Sequence, residues 1–448
     1  MTVRIGAALF SILSLVAAAC GQKPGVHAAA VAEGQAGIPG VGTGAVFDPA
    51  TGTFVDPATG QPIGAPGTAG TGTTGTAGTS PTGSAEGSAS EVGKTIVVGL
   101  HAPVTGAAPV RSDSFNTGKD LYWKGKTVHG RTVKVVFRDD QYNPSTARAK
   151  CQEMVEDDKA LILIGGAGTD QIKACADFAA ANQIPYLSAG VLEDALRSNP
   201  YYFAVSMSYK QQGRLLAQYI KANRSKFRCS GACKVTAIIT DTANFDDAVQ
   251  GFTSAYSGVR VIRPSKSARG SQYADDICAN PADQPDVVYP LTSPTFFLEL
   301  EGSAACNPQY VGVGISMGLD TVANVGCESP TGSMNGARFF SPAYSYTEAN
   351  QQKNTNDKQF KRAGGSDDIQ FLLWGLMKTL HQMLDKVGPN LSRASFLQTV
   401  QASSFKTGVY PPLKYSSSNH FGANQVHVLR ANCNTNRFVT ESKFRSSF

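Results

Sequence analysis

Four apolar runs, residues 96–100, 133–137, 161–164 and 184–187, alternate with three amphipathic stretches, 114–124, 146–157 and 170–182. The runs are short and rich in β-branched residues, the pattern of buried strands. The stretches between them carry apolar residues at three- and four-residue spacing, the pattern of helices lying on a core. A strand–helix–strand order of this kind favours a parallel sheet covered on both faces. Small or polar residues stand where each run ends: Pro103 to Gly106, Asp139-Asp140, Gly165 to Thr169, and Ser188-Ala189-Gly190. In such sheets ligands bind at the carboxyl ends of strands, so these residues are the first candidates for a site.

Ile96-Val-Val-Gly-Leu with Pro103-Val-Thr-Gly, Arg138-Asp-Asp-Gln-Tyr-Asn-Pro, Ile164-Gly-Gly-Ala-Gly-Thr and Ile184-Pro-Tyr-Leu-Ser form an ordered series. It resembles the type I periplasmic binding proteins of the branched-chain amino acid group, the solute receptors of ABC importers. The resemblance continues through Gln212-Gly213, residues 235–241 and the helix around 371–384, and so spans about residues 95–430. It implies two Rossmann-like α/β lobes joined by a hinge, closing on a solute. The first lobe is expected over 95–212 and 336–402, the second over 213–335 and 403–448. It also implies a monomer without cofactor, metal or chemistry of its own, whose partners are ABC permease subunits.

Site residues follow from the same resemblance. Thr169 falls where the family holds a solute carboxylate, and with Asp170 it stands at a strand end and a helix start, where free N–H groups and the helix dipole suit an anion. Capping that helix is the other role open to Thr169. Ser188, Ala189, Gly190 and Val191 fall where the family offers backbone groups to the ligand. Phe245 falls where an aromatic covers the ligand from the second lobe, or else belongs to the core. Two departures bear on the ligand. Ile315, Ser316 and Met317 follow the strand 310–314, where relatives that hold an α-ammonium group place an acid, and Asp320 is out of register. Ala107 to Val110 replace the aromatic of the first loop. An amino acid, an amide and a carboxylate-bearing or aromatic solute therefore all stay open.

Residues 1–19 hold one early cation, Arg4, and an apolar run too short to span a bilayer, which fits a secretory signal. Ala17-Ala18-Ala19-Cys20 resembles a bacterial lipobox, with Cys20 receiving the lipid that would hold the protein to the outer face of the membrane. Residues 20–94 are rich in Gly, Thr, Ala, Pro and Ser and repeat Asp48-Pro-Ala-Thr-Gly as Asp56-Pro-Ala-Thr-Gly. Such a segment is expected to be a disordered tether, with a root-mean-square span on the order of 45 to 50 Å. The net charge of +6 arises beyond it, because Arg4, Lys23 and Lys94 face five acids in the first 94 residues. No basic cluster with interleaved aromatics points to nucleic acid.

Eight cysteines remain besides Cys20, an even number that suggests disulfides in an oxidising compartment. On the fold the resemblance implies, Cys151 and Cys175 lie on consecutive helices, Cys229 and Cys233 bracket a turn, and Cys278 and Cys306 flank the strand 287–291. Cys327 and Cys433 then remain for each other. A zinc site on Cys229-x-x-x-Cys233 has no second pair nearby.

Gly314-Ile-Ser316-Met-Gly318 matches the nucleophile elbow of α/β-hydrolases, with Asp320 or Asp367 and then His381, His420 and His427 in the right order. Only His129-Gly130 offers an oxyanion loop, and it reads better as a turn before the strand 133–137. Three functions are thus carried forward: an importer's solute receptor, a sensor or cell-wall-binding module without importer, and a serine hydrolase using Ser316. The helix 369–384 carries an apolar stripe, Phe371, Leu372, Trp374, Leu376, Met377 and Leu380, assigned to core.

Overall fold

The computed structural model describes residues 46–48, 53–55, 93–106, 110–189, 196–314, 318–346 and 355–448. The chain divides into two compact units, Met1–Thr82 and Gly83–Phe448. In the first, strands Val46–Asp48 and Thr53–Val55 pair antiparallel, Val46 opposite Val55. The segment expected to be wholly without structure therefore contains a short hairpin, placed where apolar dipeptides flank the first Asp-Pro-Ala-Thr-Gly repeat. Residues 1–19 and Cys20 lie outside the described residues.

The larger unit is built on two sheets. The first runs Thr132–Asp139, Thr95–Ala102, Ile162–Gly165, Tyr186–Ser188, Tyr202–Ala204, parallel throughout. Its central strands have no exposed side to present: Ile96, Val98, Leu100, Ile162, Leu163 and Ile164 are all buried. Helices Ser112–Leu121, Pro144–Glu156 and Thr169–Ala181 fill the connections. Each of the four expected strands and three expected helices is present, with ends shifted by one to three residues. His129 and Gly130 both have positive φ, 48° and 77°, in a tight turn closed by Val128 and Arg131.

The second sheet orders its strands Arg437–Thr440, His427–Asn432, Arg338–Ser341, Gln309–Gly312, Val287–Leu291, Val235–Ile239, Arg260–Ile262. The last five are parallel, and the two nearest the carboxyl terminus are antiparallel. Two lobe boundaries move in consequence. Arg338–Ser341, expected at the start of a first-lobe segment, hydrogen-bonds into the second sheet, so the chain returns to the first lobe only after Ser341. Phe421, expected in the second lobe, bridges in parallel to Ala204 and extends the first sheet.

Helix Asp368–Val387 lies against Ser112–Leu121, and its residues Phe371, Trp374, Met377 and Leu380 are buried as the stripe predicted. Helix Tyr209–Ala222 begins with a capping box between Ser208 and Gln211 and crosses Asp246–Thr253 at close range. Gly251 permits that approach: a Cβ there would stand 2.2 Å from the Lys210 carbonyl oxygen. Disulfides join Cys151 to Cys175, Cys229 to Cys233, Cys278 to Cys306 and Cys327 to Cys433. The first ties two neighbouring helices, and the last ties the end of helix Asp320–Gly326 to the turn between the final two strands.

Candidate functional site

In the first sheet the chain leaves Thr95–Ala102 toward one side and returns to Ile162–Gly165 on the other, so a crevice opens beyond their carboxyl ends. Pro103 and Gly166, which follow those strands, line a cavity of about 210 Å³. The same reversal in the second sheet falls between Val235–Ile239 and Val287–Leu291, and Phe245 and Thr292 beyond them line that cavity too. Two topological switch points thus face one space.

Its walls divide by polarity. Phe115, Ile172, Leu291, Ile369, Leu372 and Leu376 supply an apolar surface. Leu372 and Leu376 come from the stripe assigned to core, so one helical face both packs and lines the cavity. The polar lining consists of hydroxyls, the Gln212 amide and main chain; among the described residues no Asp, Glu, Lys, Arg or His takes part. Burial holds the phenols of Tyr142 and Tyr209 above their ordinary titration range, so both act as neutral hydroxyls.

Thr169 is the first residue of helix Thr169–Ala181. Gly168 precedes it with φ 83° and supplies no side-chain cap, and the first intrahelical bond of this turn runs from the Ile172 amide to the Gly168 carbonyl. Capping is therefore not the role of Thr169. It lines the cavity together with Tyr209, the first residue of helix Tyr209–Ala222. Tyr209 in turn meets Phe245 edge-on at 5.5 Å.

Of the other expected ligand residues, Ala189 and Phe245 line the cavity, while Gly190 and Val191 lie outside the described residues. Ser188 is buried and donates its hydroxyl to the Gly165 carbonyl at 3.2 Å, stitching adjacent strands. Asp170 is turned away to other partners. Its carboxylate accepts from the Thr242 hydroxyl at 3.2 Å and from the Asn244 amide, and pairs with Lys266. Neither Ser188 nor Asp170 lines the cavity. Tyr142, Tyr209, Gln212 and Tyr410 line it without having been named as site residues. Thr292 and Ser293 could have been found by the strand-end rule applied to 287–291.

The family model for periplasmic binding proteins matches residues 95–436. The chain belongs to that family. A comparison with curated protein sequences gives no match. Among solved structures, this periplasmic binding protein is similar to an ABC-transporter solute-binding protein of Rhodopseudomonas palustris BisB5 in complex with 3,4-dihydroxybenzoic acid. The TM-score is 0.66 at 17% identity, over 80% of this chain and 99% of that one. A leucine-binding protein of Thermotoga maritima gives 0.64 at 14%, over 78% and 98%. LivJ of Streptococcus pneumoniae in complex with isoleucine gives 0.64 at 13%, over 78% and 100%.

In this periplasmic binding protein Asp367, His381 and His427 of the hydrolase reading have partners elsewhere. Ser316 lies outside the described residues. Asp367 caps the helix Asp368–Val387 and accepts the Ser114 hydroxyl at 2.8 Å. His381 shares a hydrogen bond with the Tyr122 hydroxyl at 2.9 Å, and His427 donates from Nδ1 to the Ser442 carbonyl at 2.6 Å. Burial lowers the titration range of His381 and His420, and takes His427 down to about 4. His101 lies beside Cys151 and Cys175, yet both sulfurs are in a disulfide and its ring is shared between Asp140 and Tyr186. No described helix is long and apolar enough to cross a membrane.

Proposed function

We propose that this protein is the solute receptor of an ABC importer, taking a small solute with an apolar body and a single carboxylate between its two lobes. The observation that carries the reading is the cavity itself: two switch points, an apolar wall and the uncapped start of helix Thr169–Ala181, with no charged side chain in the described lining. The first-turn amides of that helix and the Thr169 hydroxyl offer donors and a positive dipole to a carboxylate. An α-amino acid would also bury an ammonium group, and a buried cation needs a carboxylate partner that the described lining lacks. Asp320 does not serve, since it accepts the Phe438 amide and donates its own amide to Asp368. The similar receptors whose complexes hold 3,4-dihydroxybenzoate, 4-hydroxybenzoate and benzoate agree with an aromatic acid as the solute.

Thr169, Ala189 and Phe245 contact the solute in this reading, with Gly190 and Val191 supplying main-chain groups and Asp170 and Ser188 supporting from behind. The first lobe comprises the sheet from Thr95–Ala102 to Tyr202–Ala204 with helix Asp368–Val387, and the second the sheet of Val235–Ile239. Cys20 carries a lipid, residues 20–94 tether the lobes above the outer face of the membrane, and permease subunits receive the closed monomer. The test is a thermal-shift screen against aromatic acids, aliphatic acids, amides, amino acids and sugars. A solute bound only to the native state stabilises it by about 2.7 kcal/mol at a hundredfold excess over its dissociation constant. Shifts confined to carboxylates with apolar bodies are expected. Shifts with amino acids or sugars and none with such carboxylates would refute the reading.

A further inference from the structure

Tyr142 lines the cavity from the loop after strand Thr132–Asp139 and is half-buried, keeping accessible surface. Its backbone is strained. Gln141 and Tyr142 both have φ 55°, the left-handed region that residues with a Cβ avoid and bulky ones avoid most. Hydrogen bonds fix the loop there from two sides. The Asp139 carboxylate accepts the amides of Gln141 and Val104, each at 2.9 Å, tying this loop to the one after strand Thr95–Ala102. Asp140 is fully buried; one of its oxygens accepts the Tyr142 amide at 3.0 Å, and the other pairs with His101 at 2.8 Å. The far nitrogen of His101 meets the Tyr186 hydroxyl at 2.7 Å. A turn alone would be served by Gly or Asn with little strain. Backbone strain of this kind persists where the surrounding structure over-determines it, typically beside a ligand.

The side chain so placed is left open. Among the described residues the Tyr142 hydroxyl takes part in no hydrogen bond and its ring in no ring contact, whereas the Tyr410 hydroxyl donates to Leu372 and the Tyr209 ring meets Phe245. We infer that Tyr142 is a specificity-determining residue, its ring closing one end of the cavity and limiting the length of apolar body that the site accepts. The inference rests on the carboxylate reading above and adds to it the residue that sets solute size. Strand Thr132–Asp139 lies two places from Ile162–Gly165 in the first sheet, with Thr95–Ala102 between them. Two strand spacings are about 10 Å. A solute whose carboxylate sits at the start of helix Thr169–Ala181 therefore extends its body across the end of Thr95–Ala102, past Pro103, toward Tyr142. A single benzene ring fits that span, and a second ring in line with it meets the phenol.

Calorimetric titration of the full chain with benzoate and 4-phenylbenzoate, which share a carboxylate and differ by one ring, tests this. The native protein should prefer benzoate. Tyr142→Asn keeps a residue that accepts the left-handed turn and removes the ring; if thermal melting shows this variant unfolded, Tyr142→Gly takes its place. Without the ring, benzoate should bind about ten- to a hundredfold more weakly for loss of apolar contact, and the affinity ratio of the longer acid to the shorter should rise by about tenfold or more. Tyr142→Phe, which keeps the ring, should leave that ratio within about twofold of the native value. A native preference for the longer acid, equal losses of both acids in the variant without the ring, or the same change of ratio in Tyr142→Phe would overturn the inference alone. Binding of neither acid would overturn the carboxylate reading, and the inference with it.

Discussion

Asp170 joins elements of the two lobes, and replacing it by Ala should weaken solute binding without touching the solute. Its carboxylate, 16% exposed, belongs to a helix of the first lobe, while Thr242, Asn244 and Lys266 all follow strands of the second. The Lys266 side chain is 54% exposed, so that ion pair contributes less than about 1 kcal/mol. Hydrogen bonds to a charged group contribute roughly 1.5 to 3 kcal/mol each, and the partly open setting argues for the low end. A total near 3 kcal/mol is lost from the closed arrangement alone, because these groups meet only when the lobes do. About 3 kcal/mol corresponds to roughly 150-fold in the closing equilibrium, and apparent affinity falls by up to that factor when closure limits binding. Calorimetry on Asp170→Ala with several solutes separates this role from direct contact. A clasp lowers the affinity of every solute by one common factor, whereas a contact would weaken charged and neutral solutes unequally. An affinity within about threefold of the native protein for all solutes, or losses that track solute charge, would refute the reasoning.

Asp368 is protonated in the folded protein up to about pH 7, since burial and then the neighbouring Asp320 charge raise it from 3.8. Stability from this group is complete below the unfolded value and is lost as pH rises from about 4 through 7, by up to about 1.4 kcal/mol per unit. Asp368→Asn should therefore flatten the melting temperature between pH 5 and 8, and parallel curves for the two proteins would contradict that. Gly251→Ala should lower the melting temperature by several degrees, as overpacking of this kind costs about 1 to 3 kcal/mol. Gly231→Ala, with nothing within 4 Å of the added carbon, should not. Non-reducing peptide mapping should recover the four cysteine pairs of the structure, and any other partner would contradict them.

Strands and helices were legible wherever one periodicity decided them. The run 96–100 needs only its own apolar residues and the small ones after it to be a central strand, and the strand-end rule alone leads to Gly166 and Thr169. Lobe boundaries were less so. Whether Arg338–Ser341 joins the first or second sheet depends on which unpaired edge it meets, Gln309–Gly312, and a four-residue strand carries no mark of its neighbour. The stripe on Asp368–Val387 is core as its pattern predicts, but its second role was not legible: a helix face against packed side chains and one against a cavity present the same leucines, so core and cavity wall share one pattern.

The polar residues show where reading by position stops. Thr169 and Asp170 are adjacent, and both suit the start of a helix, yet the two side chains diverge by about 100° around its axis. One lines the cavity, and the other meets partners 72 and 74 residues away, at Thr242 and Asn244. The Gln212 amide is subtler still. Its sequence context, a capping box followed by an amphipathic helix, is ordinary. What distinguishes it is that the Met207 carbonyl claims its nitrogen while its oxygen has no protein partner among the described residues. That imbalance costs roughly 1 to 3 kcal/mol if nothing relieves it.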